Sequence, residues 1–273
     1  MKKMMKCLSL ILAFALVIGV SACSEIGAVR TEAGTSDSLR GTLTLTGSTS
    51  MADVSNALAE AFMAKNDNVK ISVGGNGSGE GPTAVTSGTA NISLLSRGLK
   101  DSETPDSYDQ YIIGFDGVAV IVHPDSPIKE ISLASLADVF SGEITNWSEL
   151  GGPDAPIQCI GREAASGTRG AFEEIVKIED IAVYAEEQNS TGNVKQAVAG
   201  NPNAIGYVSL SSVDQSVLAL SIDSVSATTE NVSSGSYKLQ RPFLMITKKD
   251  VSDALTKAFI DFIYSEEGMK IVE

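Results

Sequence analysis

Apolar and polar positions alternate through Gly41-Thr42-Leu43-Thr44-Leu45-Thr46, and the β-branched residues between the leucines fit a half-buried strand. The period then changes. Val54, Leu58, Ala61 and Phe62 recur at helical spacing, so a small hydroxylated turn, Gly47-Ser48-Thr49-Ser50, separates a strand from a helix. Val69 to Val73 predicts a second strand; the Gly/Ser run Gly74 to Gly81 follows, then a short helix over Pro82 to Ser87 with its proline at the first turn. The same order returns after the apolar run Ile157 to Ile160. The turn Gly161-Arg162-Glu163-Ala164-Ala165-Ser166-Gly167-Thr168-Arg169-Gly170 leads into Ala171, Phe172, Ile175 and Val176 at helical spacing.

Two apolar runs are longer than their neighbours. Tyr111 to Val122 is interrupted by Gly114 and Gly117 and reads as a strand that leaves one domain, bends and enters a second; Tyr237 to Thr247 reads as the return crossing. Between them the pattern predicts a helix over Leu133 to Phe140 with a glycine stop at Gly142, and a packed turn around Trp147. A helix over Asn193 to Ala199 follows, then strands over Ala204 to Leu210 and Val217 to Ile222 and a loose polar stretch, Asp223 to Ser236. A last helix, Val251 to Val272, places Leu255, Phe259, Phe262 and Ile263 on one face. Strands alternating with helices imply an α/β class. The two crossings divide the chain into a discontinuous domain, 41–113 with 237–273, and a continuous one, 114–236.

The chemistry of the repeated turns follows from helix geometry. The first N–H groups of a helix have no partner inside it and carry partial positive charge, so a tetrahedral oxyanion fits against Ser166, Gly167 and Thr168. Gly167 permits close backbone approach, the hydroxyls of Ser166 and Thr168 add donors, and Arg162 supplies a full charge through a planar fork. Taken alone, such a turn reads first as an ordinary helix cap beside a surface arginine. Three turns of this design, each after a strand, favour a ligand site at the carboxyl ends of an open sheet.

Composition narrows the partners. A formal charge of −14 and a pI near 4.5 argue against nucleic acid or an anionic membrane surface. They leave a small anion possible, because surface charge is screened beyond about 8 Å at physiological salt. Lys2, Lys3 and Lys6 precede an apolar run, Leu8 to Val20, which is short for a membrane span, so residues 1–22 read as a signal segment. Val20-Ser21-Ala22-Cys23 resembles a bacterial lipobox, which implies lipidation of Cys23 and a membrane anchor; a plain secretory signal is the alternative. Residues 24–40 read as a flexible tether. Cys159 then remains as a small buried hydrophobe. One histidine and one such cysteine make no metal cluster, and no phosphate-loop signature for ATP is present, so neither a metal nor another cofactor is expected. A serine hydrolase or phosphatase using Ser78 or Ser166 would need His123 as its base, and neither serine lies in a Gly-x-Ser-x-Gly turn.

Leu45 to Ser50, Gly77-Ser78-Gly79, Phe115 to Val122, Phe140 to Trp147, Arg162 to Arg169, Ala204-Ile205-Gly206-Tyr207, Arg241-Pro242-Phe243-Leu244 and Phe262 to Val272 together carry a family likeness. The chain resembles the PstS family, the substrate-binding lipoproteins of bacterial phosphate ABC importers. That likeness implies a type II periplasmic-binding-protein fold, two Rossmann-like α/β domains joined by two hinge crossings, with the ligand in the cleft between them. It implies no enzymatic activity. It also implies phosphate binding by Thr49, Ser50, Ser78, Arg162, Ser166, Gly167 and Thr168, delivery to an importer permease and its ATPase subunits, an extracytoplasmic lipid-anchored location and a monomer. Some family members carry an aspartate near Ser96 that accepts the proton of monohydrogen phosphate. This chain has Ser96-Arg97 there, and Asp116 stands as a substitute acceptor or as a plain strand-end aspartate. Sulfate, molybdate or another oxyanion on the same fold is the nearest alternative.

Overall fold

The structure, a computed structural model, describes residues 39–251 and 253–273; the basic leader, Cys23 and the tether up to residue 38 lie outside the described residues. Strand β1 (Gly41–Gly47), helix α1 (Ala52–Met63), strand β2 (Val69–Val73), helix α2 (Gly81–Ser87) and strand β3 (Ile92–Leu95) follow in order. β1 lies parallel between the other two strands, with Leu45 opposite both Val73 and Ile92. The alternation read from the sequence is the burial pattern of β1: Leu43 and Leu45 are buried, while Thr44 and Thr46, which alternate with them, are half-buried. β3 is buried at all four positions, as a central strand covered on both faces must be.

Strand β4 (Tyr108–Val122) is the first crossing. Beyond it come β5 (Glu130–Ile131), α3 (Leu133–Ser141), β6 (Gln158–Arg162), α4 (Gly167–Val176), β7 (Glu186–Gln188), α5 (Thr191–Ala199), β8 (Ala204–Ser209), β9 (Leu218–Ala219), β10 (Ser221–Ile222) and α6 (Thr229–Ser233). β11 (Gln240–Lys248) is the return crossing, and α7 (Ala254–Ile263) and α8 (Glu266–Val272) close the chain. β6 lies parallel between β7 and β8, which repeats the arrangement around β1. β4 pairs antiparallel with β11 from Tyr108 to Gly117, then with β8 from Val118 to Val122. The change of partner falls at Gly117, where a Cβ would stand 2.9 Å from Val232. The architecture is therefore two α/β lobes joined by two crossing strands, as the resemblance implied.

Each lobe has its own apolar interior. Leu43, Leu45, Leu58, Phe62, Ile92, Met245 and Phe259 pack in one, with the Phe62 and Phe259 rings edge to face at 5.2 Å. In the other, Phe172 stacks on Tyr207 at 4.1 Å and meets Phe140 edge-on at 4.9 Å. Trp147 is buried there and donates its indole N–H to Asn203 O at 3.0 Å, the packed turn expected of it.

Of the elements that differ from the sequence expectation, three do so for a local reason. The strand expected over Val217 to Ile222 is two pieces, because Leu218–Ala219 pairs with β4 while Ser221–Ile222 pairs with β5. The last helix breaks after Ile263, where Ser265 caps a new helix by accepting from Gly268 N at 3.2 Å. Hydrophobic spacing runs through that break, so periodicity alone misses it. The loose stretch holds the short helix α6, capped by Thr228.

Candidate functional site

All the turns singled out above lie at carboxyl ends of parallel strands, and the two lobes face these ends toward one another. β1 ends at Gly47, whose φ of 137° and contact with the Leu94 carbonyl admit no side chain. Ser48 then caps the turn Thr49–Met51, accepting from Ser50 N at 3.2 Å, while its own hydroxyl donates to Ser96 Oγ at 2.8 Å. In the second turn Ser78 is fully buried; its Oγ accepts from Ser96 N at 3.1 Å. Gly77, at φ 96°, would carry a Cβ only 2.7 Å from Ala165 O, and Gly79 N donates to that same carbonyl at 2.9 Å. The second turn of one lobe is thus pressed against the Arg162 turn of the other.

In that turn Ser166 caps α4, accepting from Arg169 N at 3.2 Å. A Cβ on Gly167 would overlap Ser78 Oγ and stand 2.7 Å from Ser96 Oγ, so glycine is what lets the lobes meet. Thr168 Oγ1 lies 2.8 Å from Ser50 Oγ. Arg162 ends β6 and is 1% exposed. Its Nε and Nη2 donate to Glu163 at 2.9 and 2.8 Å in a two-pronged pair, and its Nη1 donates to Thr191 Oγ1 at 3.2 Å. Arg97, beside Ser96, forms its own two-pronged pair with Glu103 at 2.7 and 2.8 Å.

Of the residues named from sequence, Thr49, Ser50, Ser78, Ser96, Arg162, Ser166, Gly167 and Thr168 come together at this junction of the lobes. Asp116 does not. It lies on β4 opposite Arg241, where its Oδ2 accepts from Arg241 Nε and Nη2 at 3.1 and 2.9 Å and its Oδ1 accepts from Ser209 Oγ at 2.9 Å. Three donors already engage both oxygens of the carboxylate, so of the two readings of Asp116 these contacts favour the strand-end aspartate over the proton acceptor. Burial pushes its carboxyl above the ordinary value, against the opposing charge and hydrogen bonds of Arg241.

Two contributors were missed. Ser48 belongs to the first turn by sequence, and its hydroxyl touches Ser96. Thr191 opens α5, and its Oγ1 lies 3.0 Å from Ser50 Oγ, 3.3 Å from Thr49 Oγ1 and within reach of Arg162. The strand before it, β7, is three polar residues, so no apolar run announces a fourth strand-turn-helix unit. Ser190-Thr191 ahead of the helical pattern was the signal that could have found it.

A hydrolytic triad is absent from the described residues. His123 accepts from Asp125 N at 3.2 Å within its own turn, while Ser166 is engaged as a cap and Ser78 with Ser96. Burial pushes the Cys159 thiol up to about 12, so it is inert as a nucleophile. No group of three or more metal-ligating side chains occurs among the described residues. What the junction does offer is a buried array of hydroxyls, helix-terminal N–H groups and one arginine, the donor set of a small oxyanion site.

Comparison with known proteins agrees with this chemistry. The PBP superfamily domain matches residues 32–267. The phosphate-binding protein PstS of Bacillus subtilis is 34% identical over all of this chain and 92% of its own length. The PstS of Borreliella burgdorferi is 28% identical, over 83% of this chain and 86% of its own length. Among solved structures, a Clostridium perfringens protein described as a phosphate ABC transporter substrate-binding protein with bound phosphate superposes with a TM-score of 0.82. It is 45% identical, over 85% of this chain and 96% of its own. An ABC-type phosphate transport receptor from Vibrio cholerae gives a TM-score of 0.72 at 35% identity, over 84% and 96% of the two chains.

Proposed function

The chain belongs to the PstS family of phosphate-binding proteins within the PBP superfamily, and from that premise we propose that it captures inorganic phosphate between its lobes for an ABC importer. The observation that carries the reading is the meeting of hydroxyls from both lobes beside the buried Arg162: Ser50 from one, Thr168 and Thr191 from the other. Bound phosphate would receive the helix-terminal N–H groups and hydroxyls of Thr49, Ser50, Ser78, Ser96, Ser166, Gly167 and Thr168, and the charge of Arg162. Micromolar affinity requires about 8 kcal/mol. Several charge-assisted hydrogen bonds at roughly 1.5 to 3 kcal/mol each exceed that and leave a margin for closing the lobes.

The lobes divide at the crossings, 41–113 with 237–273 and 114–236; separate apolar interiors support two lobes, although Tyr237 and Leu239 pack in the interior of the 114–236 lobe, which sets the return boundary nearer Gln240. Opening and closing about β4 and β11 would admit the ligand, and the closed form would present a single surface to a permease; the ATPase subunits supply the energy. Lipidation of Cys23 would hold the protein as a monomer on the extracytoplasmic face of the membrane. Among the described residues no helix is long and apolar enough to cross a membrane.

The test is a thermal-shift panel with phosphate, arsenate, sulfate and molybdate, followed by calorimetry on the best ligand. Phosphate and arsenate are expected to raise the melting temperature and sulfate to leave it in place. A rise with sulfate or molybdate and none with phosphate would replace the ligand while keeping the site.

A further inference from the structure

Arg241 is among the most deeply buried residues of the protein, with its side chain 1% exposed, and one arm of its guanidinium is unused. Nε and Nη2 both donate to Asp116 Oδ2, while Nη1 is buried without a hydrogen-bond partner among the described residues. A buried guanidinium N–H left unpaired forfeits its hydration with nothing in return, so such a donor signals a partner still to come.

Its surroundings say what that partner would be. β11 runs antiparallel to β3 with Leu244 opposite Leu95 and Met245 opposite Leu94, and Ser96 follows directly on the end of β3. Side chains alternate along a strand, which puts Arg241 on the face of Phe243 and Met245; its guanidinium carbon lies 5.6 Å from the Phe243 ring centre. Ser96 in turn touches Ser48 and Ser78. Arg241 also lines a cavity of about 690 Å³ with Arg97, Gly170 and Ala171; this cavity lies beside the junction, since acidic side chains such as Glu173 and Asp180 line it and none of the phosphate-binding candidates does. Burial pulls the Arg241 guanidinium below its ordinary value, Asp116 opposes that, and the charge of Arg162 adds to the lowering. Two like charges that feel one another across a buried region form a place where a dianion is favoured.

We propose that Arg241 is a second anion-binding arginine of this site: Asp116 fixes the guanidinium through Nε and Nη2, and Nη1 donates to a phosphate oxygen. The inference rests on the phosphate reading above and deepens it, since it gives the dianion two fixed positive charges, one from the continuous lobe and one from the crossing strand. It also accounts for Asp116 as the residue that holds Arg241 in place.

Calorimetry with inorganic phosphate on the full chain and on the variants R241Q and D116N tests this, with melting temperatures without phosphate as the measure of folding. R241Q removes the charge and the free arm; D116N breaks the same ion pair and leaves the guanidinium charged. The expected result is a loss of affinity of at least tenfold in R241Q and a smaller loss in D116N. Equal losses in the two variants, or an R241Q affinity within threefold of the parent, would overturn the inference. If R241Q does not fold, R241K carries the same test, because it keeps a charge but cannot serve Asp116 and an anion oxygen together. It should lose more affinity than D116N, and an equal or smaller loss overturns the proposal. A parent protein that binds no phosphate overturns the underlying reading, a result distinct from normal parental binding with an unaffected R241Q.

Discussion

Ser50 Oγ and Thr168 Oγ1, 118 residues apart in sequence, lie 2.8 Å from one another, each at the start of a helix in a different lobe. Both side chains are nearly inaccessible, at 5% and 1% exposure, so the contact closes the junction between the lobes rather than decorating a surface. Hydroxyls suit this role, because each can donate or accept and can turn from its neighbour to an anion oxygen.

Arg162 anchors the charge balance of the site. Replacing it with alanine leaves the remaining donors facing a dianion without their nearest fixed countercharge, and the expected loss is about 2 kcal/mol or more, roughly 30-fold in affinity. Calorimetry with phosphate at neutral pH measures it. Unchanged affinity would remove Arg162 from the site.

Gly167 tests closure directly. A Cβ at that position overlaps Ser78 Oγ, a short side chain with little room to retreat. Gly167→Ala should therefore hold the lobes apart and weaken phosphate binding about tenfold or more, with little change in the melting temperature of the ligand-free protein. A variant that binds normally would show that the lobes need not come this close.

Thr191 is marked in the sequence only by a Ser-Thr pair ahead of a helical pattern. Thr191→Val keeps its shape and deletes the oxygen that meets Ser50, Thr49 and Arg162 Nη1. Leaving those partners unsatisfied is expected to cost about 1 to 3 kcal/mol of binding. Parental affinity in this variant would reduce Thr191 to an ordinary first residue of α5.

Glu103 links pH to stability. Burial pushes its carboxyl up, but the hydrogen bonds and charge of Arg97 and the N–H of Lys100 outweigh this and hold it below the ordinary value of 4.5. A lowered folded value favours the folded state above the unfolded value, and the contribution fades as pH falls through the folded one. Urea melts at pH 7 and pH 3.5 should thus show a larger loss of stability on acidification in the parent than in Glu103→Gln. Equal losses would mean that the Arg97 pair contributes nothing to acid sensitivity.

Phe172 bears on the fold alone. It stacks on Tyr207 and meets Phe140, and Phe172→Ala should destabilise the protein by about 3 to 5 kcal/mol by opening a cavity. Denaturant unfolding gives the number; a loss under about 1 kcal/mol would mean that the lobe repacks around the gap.

What the sequence determined by itself is local. Strict alternation in β1 and helical spacing in α1 report which face is buried, and glycine and hydroxyl residues between them report a turn with exposed N–H groups. Three such turns and one arginine were enough to point to an oxyanion. Only the tertiary structure decided which of these groups meet. Thr191 joins them because β7 pairs with β6 through backbone hydrogen bonds that three polar residues do not advertise. Asp116 leaves them because β4 and β11 run antiparallel and set it opposite Arg241, 125 residues away. An oppositely charged partner at hydrogen-bonding distance in a buried place outweighs any role read from sequence position, and strand register, which no single stretch of sequence encodes, chooses that partner.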